Sequence, residues 1–506
     1  MDGVAWVWFR PEDDWRRERN MKTLIRGGYV VGFDDDITSH VVYPRGELVY
    51  EGNVVTFVGR DYPGTVDQVI DAPSALITPG FVNAHSCMDI STFQFFFDIA
   101  RERRRGYAGE TRRRDLFSGE KDHVFDPQEI RAGALLVFLD MVRAGTTTMA
   151  GITSYPFKAY NDPIWEPEIY MEAAVTAGIR AYLSHMYRDR VDGRVDIEKG
   201  REGLERAARF VEIYHGSFGD SIRGLLFPYT LDSTSRETLV ETRRLADSLG
   251  AGIRMHFAQF PDEIHLLDDV YGMTPVDLLE GIGFLGPDVL LTHCLYPAGL
   301  EPSAAERDRA LDLLAARETS VGHCPWVLII RGSGPLYLDS MSEYSRAGIN
   351  VCLGTDTFPQ DMIREMRWGA IMAKTAHGRR DGVGTAREVF DAATVNGARW
   401  LGREDIGRLR PGAKADINVI ELADHNIGPL ADPIRNLVYF GTGHNVRTVI
   451  VDGVRVVDDF RHLTLDTESV LRAAQPVSDK VRDTLVRWDS SGSLPEELPP
   501  PSYPTR

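Results

Sequence analysis

Five side chains able to bind a metal or move a proton occupy matching places in the sequence: His85, His256, His293, His323 and Asp356. Each closes, or nearly closes, a short apolar run. The runs are LITPGFVNAH (76–85), GIRMHFAQ (252–259), VLLTHCLY (289–296), SVGHCP (320–325) and INVCLGTD (349–356). Imidazole nitrogens together with a carboxylate suit a borderline divalent ion, Zn²⁺ or Fe²⁺. One such ion with an open coordination position would activate water for hydrolysis. Most histidines in a long chain are structural or superficial; the shared placement sets these apart.

That placement needs a scaffold that gathers the ends of separate strands. Three further runs, TTTMAGIT (146–153), RAYLSHM (180–186) and RGLLFPYT (223–230), bring the set to eight. Stretches with helical periodicity, such as SRETLVETRRLADSLG and SAAERDRALDLLAARE, lie between them. Eight strand–helix repeats predict an α/β fold, a (β/α)8 TIM barrel with its active site at the carboxyl ends of the strands. From Thr23 to Asp71, and again after Leu409, short alternating runs are broken by Gly, Asp and Pro. These two β-rich segments predict a small β-sandwich built from both chain ends. The expected division is an amino-terminal arm and part of the sandwich over 1–75, the barrel over 76–404, the rest of the sandwich over 405–465, and a carboxyl-terminal arm over 466–506. The Pro-rich ending SLPEELPPPSYPTR reads as a surface extension.

Bulk properties narrow the function. A chain of 506 residues accommodates a barrel with an accessory domain. A formal net charge of −18 argues against nucleic acid or an anionic membrane as partner. Four cysteines, Cys87, Cys294, Cys324 and Cys352, stand far apart, with no C-x-x-C pair. They suggest neither a disulfide framework nor a zinc ribbon, and they fit a reducing compartment. The opening MDGVAWVWFRPEDDWRRERN lacks the layout of a signal peptide. No apolar run reaches the roughly 18 residues of a membrane span. A cytoplasmic protein is expected.

The ordered set of motifs resembles the amidohydrolase superfamily, in its cytosine-deaminase and triazine-hydrolase branch. The resemblance runs from about Leu24 to Asp459. It is carried by PGFVNAH at Pro79–His85, AGTTTMAG at Ala144–Gly151, LTHC at Leu291–Cys294, VGHCP, the GSG turn at Gly332–Gly334 and LGTD at Leu353–Asp356. ATVNGARWLGREDIGRLRPGAKADINVIEL then resembles the family's return to its β-sandwich. The resemblance implies one divalent metal ion, zinc before iron, held by His85, His256 and Asp356. It implies that Asp356 also accepts a proton from the attacking water. His293 would polarise the substrate or contact the metal-bound water, and His323 would stand behind the site without ligating. It also implies a homo-oligomer.

Two departures alter that pattern. The family's first motif is His-x-His, whereas here it reads His85-Ser86-Cys87. As a thiolate, Cys87 could take the vacant ligand place and leave the metal a weaker Lewis acid; the alternative is that it only packs. The branch usually carries a proton-shuttling glutamate where this chain has Gln259. An amide can orient a substrate but cannot relay a proton at neutral pH. Three explanations stay open: His293 or Glu263 acts as relay, the leaving group needs no proton, or the site hydrolyses poorly.

For substrate contact, Phe93 within TFQFFF (92–97) and Trp326 could wall a planar ring, alongside His293 and Gln259; packing under a loop explains the aromatics equally well. The basic runs RERRRG (101–106) and TRRRD (111–115) read as a solvated face or a subunit contact before an anion-attracting lid. The leading expectation is a hydrolase of a non-peptide C–N bond in a small cyclic amide, amidine or aminated N-heterocycle. Its alternatives are a dehalogenase or dealkylaminase of a triazine-like ring, and an impaired barrel serving as a binding subunit.

Overall fold

The alternating text at the amino end becomes five strands: β1 (Lys22–Asp34), β2 (Ser39–Pro44), β3 (Glu47–Glu51), β4 (Val54–Gly59) and β5 (Gln68–Pro79). They come from a computed structural model that describes residues 21–88, 124–152, 166–191, 193–330, 340–377, 382–488 and 503. The long middle supplies β6 (Phe81–Cys87), β7 (Thr146–Ile152), β8 (Arg180–Leu183), β9 (Met186–Tyr187), β10 (Arg190–Val191) and β11 (Arg194–Val195). It continues with β12 (Ile222–Gly224), β13 (Phe227–Pro228), β14 (Ile253–Phe257), β15 (Val289–His293), β16 (Ser320–His323) and β17 (Val351–Leu353). Beyond it come β18 (Ile417–Glu421), β19 (Val446–Val451), β20 (Val454–Asp458) and β21 (Arg461–His462).

Strands from both ends of the chain meet in one nine-stranded sheet, in the order β21-β20-β19-β18-β5-β1-β3-β4, with β2 added on β1. The seam is the antiparallel pairing of β5 with β18, where Ile77 faces Val419. Ile25, Leu48, Ile77, Leu409, Ile417 and Val419 form a buried cluster there. The expected first barrel strand at 76–85 divides in two. Its opening residues finish β5 in this sheet, and the next strand starts at Phe81. Gly80 makes the crossing, since a Cβ there would collide with the Thr147 side chain.

The middle is parallel, as expected. One four-stranded sheet runs β12-β8-β7-β6, another runs β14-β15-β16-β17, and β9 pairs with β13. Isolated parallel bridges join them at Leu226–Ile253, Thr230–His256 and Ser86–Asp356. β6, β7, β14, β15, β16 and β17 are buried along their whole length, as strands covered on both faces must be. Helices alternate with them and carry explicit start signals. Asp126 and Ser303 form capping boxes with Glu129 and Glu306. Ser235 caps helix Arg236–Leu249, which ends on the left-handed Gly250.

At the seam between sheet and parallel strands lies a buried ion cluster. Arg180, 1% exposed at the start of β8, pairs with Asp416, approaches Asp452 at 3.8 Å and bonds Thr148 Oγ1 at 3.1 Å. Lys414 and Asn53 also donate to Asp452, at 2.9 and 3.0 Å. The segment expected as an arm from 466 begins with helix Thr467–Trp488, docked on helix Pro127–Arg143 through Lys480 and Glu129 at 2.7 Å. Among the described residues, no helix is long and apolar enough to cross a membrane.

Candidate metal centre and active site

His85 sits in β6, His256 in β14 and His293 at the end of β15, all at most 5% exposed. Asp356 follows β17 by three residues and is 2% exposed. Parallel strands in register bring their carboxyl ends to one level, so Phe257 pairs with His293. Between β17 and β6, the Cys87 N–H donates to the Asp356 carbonyl at 2.5 Å, and the Asp356 N–H donates to the His85 carbonyl at 3.0 Å. Such an approach needs glycine at 354, where a Cβ would meet His85 Cβ and O at 2.7 Å. The mouth is also where non-glycine backbone turns left-handed: φ is 48° at Ala258, 72° at His293, 50° at Cys294 and 57° at Asp356. Each such residue costs roughly 1–3 kcal/mol, and this strain gathers where side chains must be aimed.

Two groups of potential ligands share His85. His85, His256 and His293 offer atoms within 4.8 Å of one another, and so do His85, Cys87 and Asp356. Cys87 Sγ donates to Asp356 Oδ1 at 2.9 Å and lies 3.9 Å from His85 Nε2. Asp356 oxygens stand 3.5 Å from His85 Nε2 and 3.8 Å from His293 Nε2. The rings of His256 and His293 stack at 5.5 Å, and His85 meets both edge-on. His256 Nδ1 contacts the Tyr229 carbonyl at 3.1 Å, which makes it the protonated nitrogen and leaves the Nε2 lone pair for a metal. Burial lowers the pKa of His85, partly offset by Asp356. Burial, then the His85 and His293 rings, push His256 well below the ordinary histidine range. Neutral imidazoles, a thiol and a carboxylate converging away from water form a donor set that fits zinc or ferrous iron. Cys87 lies among these groups; the other cysteines do not. Burial pushes Cys294 and Cys352 up to about 12, which keeps both protonated.

Gln259, 8% exposed, lies just beyond β14. Its backbone N–H and that of Ala258 donate to the two carboxylate oxygens of Glu263, at 2.7 and 2.9 Å. Glu263 therefore braces the turn that carries Gln259. Trp326 donates its backbone N–H to Glu365 at 3.2 Å and its indole N–H to the Phe358 carbonyl at 3.3 Å, with Trp368 5.9 Å away. His323 is buried at the end of β16, and burial lowers it to about 4; it belongs to neither ligand group. Phe93 and both basic runs lie outside the described residues.

Sequence reading missed three neighbours. Arg254 lies two residues before His256, hence on the same side of β14, and is 0% exposed. Its guanidinium lies 4.9 Å from the Phe227 ring centroid and donates to the Ala150 carbonyl at 2.5 Å. Burial lowers it to about 9 against the pull of Cys87, Cys324 and Asp356. A charged residue inside an otherwise buried strand was the available signal. Glu365, pushed well above the carboxylate range by burial, gave none, whereas Tyr229, edge-on to His256 at 5.2 Å, stood near the end of the run RGLLFPYT.

Comparison with known proteins gives consistent results. The amidohydrolase family matches residues 76–456. A 5′-deoxyadenosine deaminase of Methanosarcina acetivorans is 30% identical over 473 residues, 90% of this chain and 98% of that one. An adenosine deaminase from Xanthomonas campestris with bound zinc superposes at a TM-score of 0.73, with 22% identity, over 91% of this chain and 98% of its own. Atrazine chlorohydrolase from Arthrobacter aurescens TC1, complexed with zinc, gives 0.72 and 23%, over 90% and 100%.

Proposed function

The chain belongs to the amidohydrolase family, and from that premise we propose a metal-dependent hydrolase that deaminates an aminated N-heterocycle, most simply the amino-purine ring of an adenosine-like molecule. The observation that carries this reading is the pair of ligand groups sharing His85 at the strand ends. The named activity of the 30% identical relative supports the ring class. A divalent ion, zinc before iron, held by His85, Cys87, His256 and Asp356, supplies the Lewis acidity that makes water nucleophilic near neutral pH.

The chain's own residues do the rest. Asp356 takes a proton from the attacking water and is placed to carry it onward. The water oxygen bonds to the ring carbon, the C–N bond breaks, and the products are a ring carbonyl and ammonia. His293 holds the charge that develops on the ring and, beside Asp356, shares in protonating the departing amine. Gln259 orients the ring by hydrogen bonding, and Trp326, with Phe93, walls it. Cys87 replaces the family's second imidazole with an anionic donor.

The same reading assigns the chain ends and middle. The parallel strands of 76–404 close as an eight-stranded barrel, supported by the bridges at both gaps. The nine-stranded sheet, drawn from Lys22–Pro79 and Ile417–His462, folds over its own apolar cluster as the small sandwich. Residues 466–506 serve as an arm in a cytoplasmic homo-oligomer that handles small molecules rather than nucleic acid or membranes.

The test is metal content by mass spectrometry for wild type, Cys87→Ala and Cys87→His, paired with ammonia release from 5′-deoxyadenosine and a panel of aminated rings. Near-stoichiometric metal that falls in the alanine variant and returns with histidine, together with ammonia release, is expected. Metal unchanged in all three reduces Cys87 to packing. No metal after reconstitution overturns the hydrolytic reading and leaves a binding subunit. Gln259 gives one alternative weight, expulsion of a group that needs no proton; chloride release from a chlorinated triazine without ammonia release from any amine would establish it.

A further inference from the structure

A cavity of about 540 Å³ lies away from the ligand groups, at the amino ends of the parallel strands. Gly252 and Asp288, which immediately precede β14 and β15, form part of its wall. Leu225, Tyr182 and Trp400 give it an apolar and aromatic floor continuous with a buried cluster beneath the strands. Its volume falls in the range of small-molecule sites.

Most of the charges around it are already paired. Two carboxylates face the space, Asp247 and Asp288, and both are bound to one guanidinium, Arg243, at 2.6 Å. Arg223 gives its Nε to Asp220 at 2.7 Å and its Nη1 to His215 at 3.2 Å. Burial, then Arg223 itself, lower the His215 pKa, so that ring accepts and adds no charge. Arg399 is left. Its exposed side chain lines the cavity and makes no hydrogen bond or ion pair among the described residues. Beside it, the indole N–H of Trp400 is buried with no acceptor. Arg399 thus stands at a cavity with an apolar and aromatic floor without a side-chain partner among the described residues.

We propose that this cavity is a binding site for a small organic anion, a carboxylate or phosphate ester on a flat apolar body, with Arg399 as the anion's partner and Trp400 and Leu225 against the body. A guanidinium pairs with either anion through two parallel hydrogen bonds, and the apolar floor distinguishes an organic anion from a free inorganic one. The site is separate from the metal centre and does not depend on the function proposed for it.

The test is calorimetric titration of the full chain with benzoate, phenyl phosphate and inorganic phosphate. Wild type, Arg399→Ala, Arg399→Glu and the mouth variant Asp356→Asn are compared. One-site binding of benzoate or phenyl phosphate in wild type and Asp356→Asn is expected, about tenfold weaker in Arg399→Ala and lost in Arg399→Glu. Arg399 is exposed, so unchanged thermal midpoints should accompany these losses. Inorganic phosphate binding as well as the aryl anions would overturn the organic-anion assignment. Equal affinity in Arg399→Glu, loss in Asp356→Asn, or no binding up to about 10 mM would overturn the site.

Discussion

The mouth of the parallel strands and the seam around Arg180 both bury several charged or polar side chains, yet the two are built on opposite plans. At the seam, cation meets anion: Arg180 with Asp416 and Asp452, Lys414 with Asp452, and an amide from Asn53. At the mouth, lone-pair donors face one another: three imidazoles, a thiol and one carboxylate, on strand ends with left-handed backbone at four residues. Burial of polar groups alone therefore says little about function. A cluster that is complete among its own members holds the fold together; a cluster of like donors calls for a cation from outside.

The widest gap between the two should open with Asp356→Asn. Loss of the proton acceptor lowers kcat/KM about 10²- to 10⁴-fold, while chemical denaturation of the metal-free variant gives a stability at least equal to wild type. If activity survives, the mouth is not the reacting centre. Arg180→Ala should do the reverse: it strands the buried Asp416 carboxylate and removes about 3–5 kcal/mol of stability, read by urea unfolding. Metal per folded chain stays constant, and a loss of metal at unchanged stability would dissolve the distinction. Gln259→Glu restores a carboxylate beside the mouth and should raise deamination by up to about 10²-fold; a fall would show that the amide is itself required.

The smallest effect is at His462, a polar site that is complete like the seam. Its Nε2 reaches the Ala177 carbonyl at 3.0 Å, and its Nδ1 accepts from Thr464 and Leu465 N–H groups. Burial holds it down to about 4. A histidine depressed below its unfolded value contributes stability that is complete above pH 6.5 and is lost as pH falls toward 4. His462→Asn should therefore flatten the acid limb by about 1–2 kcal/mol between pH 6.5 and 5. An unchanged slope would place the titration elsewhere.

Legibility in the sequence followed the same divide. His85, His256, His293 and Asp356 could be read because each closes an apolar run, and strand ends converge in a parallel arrangement whatever lies between them. The two-ended sheet was readable from alternation alone. Glu263 was not readable as a brace, because a carboxylate six residues past a strand looks the same whether it turns back to the backbone or out to the site. Glu365 leaves no local trace, whereas Tyr229 stands near the end of the run RGLLFPYT, as the histidines do in theirs. The division at Gly80 was hidden because one apolar run serves two sheets, and only the crowding by Thr147 marks the crossing.

The pairing of β5 with β18 also governs how the chain comes off the ribosome. Ile77 and Val419 are more than three hundred residues apart, and everything between them must be synthesised before that ladder can form. Until then β1 to β5 wait with an open edge on the side that β18 will occupy, during minutes or less of elongation at roughly 5–20 residues per second. Closure so late gives the sheet a high contact order and makes it the slow step of assembly. It also makes the newborn amino-terminal strands the part most exposed to aggregation, and the natural point for a chaperone to hold the chain.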